Sequence, residues 1–243
     1  MNIKELFLDA SKYATSNWTR YVLLGITFVF IDLLDDLDES MAIPPSILIF
    51  LLSLFVILVF IQAGYIFRII ETSVEGSNKL PPFNRIKQLF FHGIKDSAVA
   101  MTYIFIPIIL FLILLDPIMF YLGDNNSLDL TPIVIMIFIS MLVVCFIFLQ
   151  AAIINMAYHK GKIKAAFEFK GIIGQIKNMG LKKFLIVCFL AALIILILEP
   201  FIRDSVRSSL DLPSGTLIEI LLAPYLSILT SRFLGRMGRK EIR

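Results

Sequence analysis

Two acids in this sequence stand directly before proline inside greasy runs: Asp116-Pro117 in "FLILLDPIMF" and Glu199-Pro200 in "LILEPFIR". A third, Asp32, closes an earlier run. A carboxylate at the C-terminal end of a helix faces the negative end of the helix dipole, a placement unfavourable by roughly 0.3–1 kcal/mol when exposed. Proline disfavours α conformation in the residue before it. The pairs are therefore expected to bend or end their helices at a water boundary. Asp32, Asp116 and Glu199 could form an acidic ring at an outer mouth, as in cation pores; otherwise each marks a boundary and meets water. A second set, Gln62, Gln150, Asn155 and Glu219, places polar groups inside apolar stretches. These are candidates for an intramembrane polar site or for interhelical hydrogen-bond glue, worth roughly 0.6 kcal/mol on average. Glu219, near the start of its run, could equally be a favourable first-turn acid.

Other chemistry is thinly represented. His92 and His159 have no partner at ligand spacing, and Cys145 and Cys188 fall inside apolar stretches, where a thiol behaves as a small hydrophobe. No metal site, disulfide or cofactor is expected. His-Glu-x-x-His, Gly-x-Ser-x-Gly, Walker and Cys-x-x-Cys motifs are missing, so the expectation is a protein that is not an enzyme.

The elements that must carry these residues are hydrophobic helices. Of 243 residues, 58% are hydrophobic and 17% charged, with a mean hydropathy of +0.89, whereas soluble domains are roughly 45–50% apolar and about 25% charged. Runs near the ~20 residues that cross a bilayer as helix recur at 18–34, 45–66, 98–122, 132–158, 184–202 and 217–233. They are apolar on every face, which argues against the alternating strands of a membrane barrel. The expected fold is an all-α, six-span integral membrane bundle over residues 1–243.

Charge is sorted by side. With Arg20 and Arg232 counted at the basic borders of the first and sixth runs, twenty of the 22 lysines and arginines lie before the first run, between the second and third, between the fourth and fifth, or after the sixth; only Arg203 and Arg207 fall elsewhere. The positive-inside rule then predicts a multi-pass cell-membrane protein with both termini cytoplasmic. Arg85, Lys87, Lys160, Lys162 and Lys164 are the candidate contacts to anionic lipid headgroups. The opposite face carries acids, including Asp35, Asp36, Asp38 and Glu39. Nothing in the sequence supports a nucleic-acid partner.

The runs fall into three units, approximately 1–75, 76–160 and 161–243. Each passes from a lysine (Lys12, Lys95, Lys177) through an apolar stretch to a carboxylate, and "GSNKLPPF" at Gly76 echoes "GKIKAAF" at Gly161. Amphipathic stretches precede the odd spans: Phe83, Ile86, Leu89, Phe90 and Ile94 share one helical face, and Phe167, Ile172, Ile173, Ile176 and Met179 form a similar stripe. Such segments lie in the headgroup zone or pack on the bundle's end. Two-span units insert in the same direction and can be related by an axis along the membrane normal.

Gly64-Tyr65, Gly76, Leu80-Pro81-x-Phe83, Gly93, "AAFEF" at 165–169 and Gly235 resemble the signature of a prokaryotic membrane family, domain of unknown function 4013. The stretch after Leu80-Pro81, usually acidic in that family, is the basic "PFNRIKQ" here. The resemblance implies a polytopic membrane protein and brings no catalytic residues. The expectation is a non-enzymatic, lipid-contacting scaffold or a subunit that binds a membrane-protein partner or a second copy of itself. The alternative is a small transporter or channel for a cation or small solute along the pseudo-threefold axis.

Overall fold

The computed structural model describes residues 3–35, 44–123, 131–198, 201 and 212–239, giving backbone only for 3, 32–35, 116, 118–123, 131, 196 and 212–219. The described chain is all-helical. Its eight helices are α1 (Ile3–Ala14), α2 (Trp18–Asp35), α3 (Pro45–Val74), α4 (Ile86–Gly123), α5 (Thr131–Tyr158), α6 (Phe169–Met179), α7 (Leu181–Leu193) and α8 (Leu212–Met237). A short 3-10 turn, Ile163–Phe167, precedes α6, and a π turn, Ile194–Leu198, extends α7. Three segments, Pro45–Val74, Ile86–Leu115 and Pro132–Tyr158, are long and apolar enough to cross a membrane; Trp18–Ile31 is a shorter apolar helix.

Two sequence expectations change. The amphipathic stretch before the third run is not a separate helix but the first turns of the 38-residue α4. No glycine-bearing break follows it, whereas Gly180, at φ +83°, separates α6 from α7. Nor does Asp116-Pro117 end its helix: α4 runs through Pro107 and Pro117 to Gly123. Proline is tolerated within long apolar helices when the freed carbonyls find other partners.

α3 and α4 form the closest pair. A Cβ built on Gly64 would lie 1.8 Å from the Leu89 carbonyl oxygen, and one on Gly93 would lie 1.8 Å from that of Phe60. Backbone thus meets backbone, the close approach that small residues permit at helix crossings. α8 lies against α3 in the same manner, with Gly235 over Ile70 and Ser73.

The buried core is lopsided. It is built from the C-terminal halves of α3, α5 and α8, the N-terminal half of α4, and α1, α2, α6 and α7: Tyr65, Phe67, Val74, Leu89, Val99, Ile154, Phe184 and Phe233 are all buried. The opposite halves of the three long helices expose Ile49, Phe50, Leu112, Ile113, Met136 and Ile139. Of the most apolar 18-residue stretch in each span-length segment, only 11, 17 and 11% is buried within the protein. An apolar surface of this extent is not stable in water and is the kind that a membrane covers.

Candidate functional site

The packed end of the bundle is also its basic end. The loop after α3, the turn after α5, α1 and the last turn of α8 meet there, with Gly161 beside His92 and Gly76 beside Arg239. α3 and α5 finish in the same capping motif: Ser77 N–H donates to Thr72 O (2.9 Å) and Gly76 N–H to Ser73 O (3.1 Å), as Gly161 N–H donates to Met156 O (3.0 Å) and Lys160 N–H to Ala157 O (3.1 Å). This Schellman geometry needs a left-handed residue, usually glycine. Gly76 meets that need with φ +88°, but its counterpart is Lys160 at φ +56°, not Gly161 as the sequence echo suggests.

The loop from α3 to α4 is clamped from three sides. Tyr65 donates its hydroxyl to Pro81 O at 3.0 Å and lies 4.6 Å from the Phe83 ring, while Arg20 Nη1 donates to Leu80 O and Leu80 N–H to Ser16 Oγ. Arg68 Nη1 donates to the carbonyls of Pro82 (3.2 Å) and Asn84 (2.9 Å). So braced, the loop forms one wall of a 680 Å³ cleft lined by Arg68, Glu71 and Thr72 of α3, Pro81 to Arg85 in part, Gln88, Phe91, His92 and Lys95 of α4, and Lys160. Two arginines and two lysines line it together with one carboxylate. Glu71 lies within electrostatic reach of Arg68, Lys160 and Lys95, yet among the described residues no ion pair joins the cleft's cations to an acid.

Near the cleft stands a buried arginine. Arg232 of α8 is fully buried, with its Nε on Asp9 Oδ2 at 2.9 Å, Nη1 on Ser73 Oγ at 3.1 Å and on Ser77 O, and Nη2 on Asn78 Oδ1 at 3.2 Å. Its guanidinium lies 4.1 Å over the Tyr13 ring, a cation–π contact. Arg236 grips the same carboxylate, Nη2 to Oδ1 at 2.8 Å. Burial would raise the pKa of Asp9; the two arginines outweigh it and hold the carboxyl below its ordinary 3.8. Burial pushes the Tyr13 hydroxyl up, against the pull of Thr72 and Arg232. Four of the five N–H donors of Arg232 are spent on the protein itself, so this group ties α1, α3 and α8 together.

The sequence candidates divide accordingly. Arg85 and Lys160 line the cleft; Lys87, Lys162 and Lys164 are exposed outside it. Arg68, Lys95 and His92 were not singled out as site residues, although Gln88, Phe91 and Lys95 fall on one α4 face at helical spacing, and Arg68, Glu71 and Thr72 do so on α3. Asn155 is buried and donates Nδ2–H to Ala165 O at 2.8 Å, holding the 3-10 turn; Gln150 is buried and Gln62 half-buried, and neither of these three lines a cleft described here. The side chains of Asp32, Asp116 and Glu219, and the whole of Glu199, lie outside the described residues. A second groove of 550 Å³, between α4 and α5 in their exposed halves, is apolar, with Pro107, Leu110, Met136 and Met141 among its walls. Among the described residues no three histidines, cysteines or acids cluster as metal ligands would.

Residues 47–202 match the family described as Protein of unknown function (DUF4013). The chain belongs to this family. The DUF4013 match contains the α3–α4 glycine crossing and every residue of the basic cleft, whereas Asp9, Arg232 and Arg236 lie outside it. The chain is 30% identical over 176 residues to Uncharacterized protein MJ0233 of Methanocaldococcus jannaschii, covering 69% of this chain and 61% of that relative. No solved structure matches the chain.

Proposed function

We propose that this DUF4013 protein is a non-enzymatic, six-span protein of the cell membrane, with both termini cytoplasmic, that works as a lipid-contacting scaffold. Residues 1–75, 76–160 and 161–243 are its three repeating units, and the shared cap at Gly76 and Lys160 supports the likeness of the first two. The observation that carries the reading is the division along the long helices: exposed apolar halves on one side, and on the other a packed end where α1, the last turn of α8 and basic loops gather. A protein of that form sits in hydrocarbon by its splayed halves. Its cations meet the inner leaflet, where each basic residue near the surface contributes roughly 1 kcal/mol toward anionic lipid.

The test is topological and functional together. In right-side-out cells, Leu37→Cys should react with an impermeant maleimide and Lys162→Cys should not. Labelling of both positions from one side would end the six-span reading. Proteoliposomes of the purified protein should pass no cations, protons or small organic ions; a specific flux would replace the scaffold with a transporter.

A further inference from the structure

The only two non-glycine residues with left-handed backbone among those described are Arg85 (φ +55°) and Lys160 (φ +56°), and both line the same cleft. Each sits where local rules favour another residue. The carbonyl of Arg85 accepts the first helical bonds of α4, from Gln88 N–H (2.8 Å) and Leu89 N–H (3.1 Å), so it occupies the N-cap, a place suited to serine, threonine, asparagine or aspartate. Lys160 occupies a cap that α3 fills with glycine. Left-handed backbone is costly for a residue with a β-carbon, and such outliers concentrate where a side chain must be held for function. Here both exceptions line one concavity together with Arg68 and Lys95.

We propose that this cleft binds a phosphomonoester, its dianionic phosphate held between Arg68, Arg85, Lys95 and Lys160. Charge selects the class. Four cations against Glu71 leave an excess of three positive charges, which a dianion compensates better than the single charge of a phosphodiester. The geometry agrees: Arg68 is fixed through Nη1 to the loop carbonyls, and the guanidinium fork and lysine ammonium are the groups suited to phosphate oxygens. At 680 Å³ the cleft lies within the roughly 300–1,000 Å³ of small-ligand sites. Phe91, 60% exposed on the rim, leads onto the exposed apolar face of α4 at Met101, Ile104 and Phe105. Thr72, Asn84 and Gln88 offer hydrogen bonds to whatever the phosphate is attached to.

The source of the phosphate, a lipid headgroup or a soluble metabolite, rests on the headgroup-contacting reading above; the site does not. Purified full-length protein in uncharged detergent micelles is titrated with dihexanoyl phosphatidic acid, dihexanoyl phosphatidylglycerol and glycerol 3-phosphate at pH 7.5. Lys95→Gln/Lys160→Gln is compared with Lys162→Gln/Lys164→Gln, which removes equal charge outside the cleft. Two lost charge-assisted contacts should weaken phosphatidic acid by at least about tenfold in the first pair and abolish its preference over phosphatidylglycerol, while the second pair keeps that preference. Glycerol 3-phosphate binding as well as phosphatidic acid would assign a soluble phosphomonoester; binding at least tenfold weaker would assign the lipid. If both pairs lose affinity alike, or the wild type shows no preference for phosphatidic acid, the cleft is not a site and only diffuse headgroup contact stands. If neither pair changes binding of either lipid, both readings fall.

Discussion

Gly93→Ala should be the most informative single methyl in the protein. The new Cβ would stand 1.8 Å from Phe60 O, 2.7 Å from Phe60 C and 3.0 Å from Gly64 N. Ordinary contact begins at 3.4 Å, so α3 and α4 must part by about 1.6 Å at their crossing. Every obstacle is backbone, so no rotamer change relieves it. Intrinsic propensity favours alanine over glycine in a helix by about 1 kcal/mol, while overpacking typically costs about 1–3 kcal/mol. A separation of this size also strips dispersion contacts from Ile61, Tyr65 and Leu89, since a gap of even about 1 Å forfeits up to half of each. The balance is a net loss of about 2 kcal/mol, or a fall in Tm of about 4–8 °C for a chain of this length. Thermal unfolding in detergent measures it. Gly174→Ala is the control, because nothing lies within 4 Å of its Cβ position, and the same propensity should there show as a gain of up to about 1 kcal/mol. Gly64→Ala/Gly93→Ala should cost less than the sum of the single changes, since one displacement serves both. If Gly93→Ala is as stable as the wild type, or gains like Gly174→Ala, the helices do not cross there.

Asp9→Asn should destabilise by about 2 kcal/mol, less than the roughly 3–5 kcal/mol for breaking a fully buried pair, because the Asp9 side chain is 25% exposed and Arg232 keeps Ser73, Ser77, Asn78 and the Tyr13 ring. The folded pKa of Asp9 lies below its ordinary 3.8, so its contribution is complete above that value and is lost as pH falls through the lower folded one; Asp9→Asn should flatten the acid limb of a stability–pH curve. Lys160→Gly should raise stability by roughly 0.5–1 kcal/mol in chemical denaturation by relieving left-handed strain, although it removes a cleft cation. Tyr65→Phe orphans the buried Pro81 carbonyl and should cost about 1–2 kcal/mol by the same measurement, with greater protease cleavage in the 76–85 loop.

Much of this arrangement could be read from composition. Helicity, the span-length apolar segments and the gathering of basic loops follow from hydropathy and charge, and the packed end was legible in a way the sequence reading did not use. Alanine and glycine are absent from 44–62 and 101–115, the largely exposed stretches of α3 and α4, and begin at Ala63-Gly64 and Gly93, where the helices touch. The signature residues acquire reasons: Gly64 for the crossing, Tyr65 and Leu80-Pro81 for the clamped loop. Arg232 was hidden because it looks like one more cation of the C-terminal cluster, and its acid lies 223 residues away. From sequence alone Lys95 marks the start of a repeat unit, because the amphipathic stretch before it looks like a separate element. Once that stretch is fused into α4, Lys95 becomes an inward-facing member of a stripe. The cleft itself depends on how α3 crosses α4 and on which residue of the second cap is left-handed, and neither is a matter of local pattern.

The bond between Asp9 and Arg232 also imposes an order on assembly. During synthesis α1 emerges with an acid whose two partners have not yet been made, and its docking waits for α8. Docking of α1 therefore joins two segments made 223 residues apart. Quality-control proteases would find α1 undocked in any protein stalled before residue 232, so an exposed N-terminal helix would report an unfinished molecule.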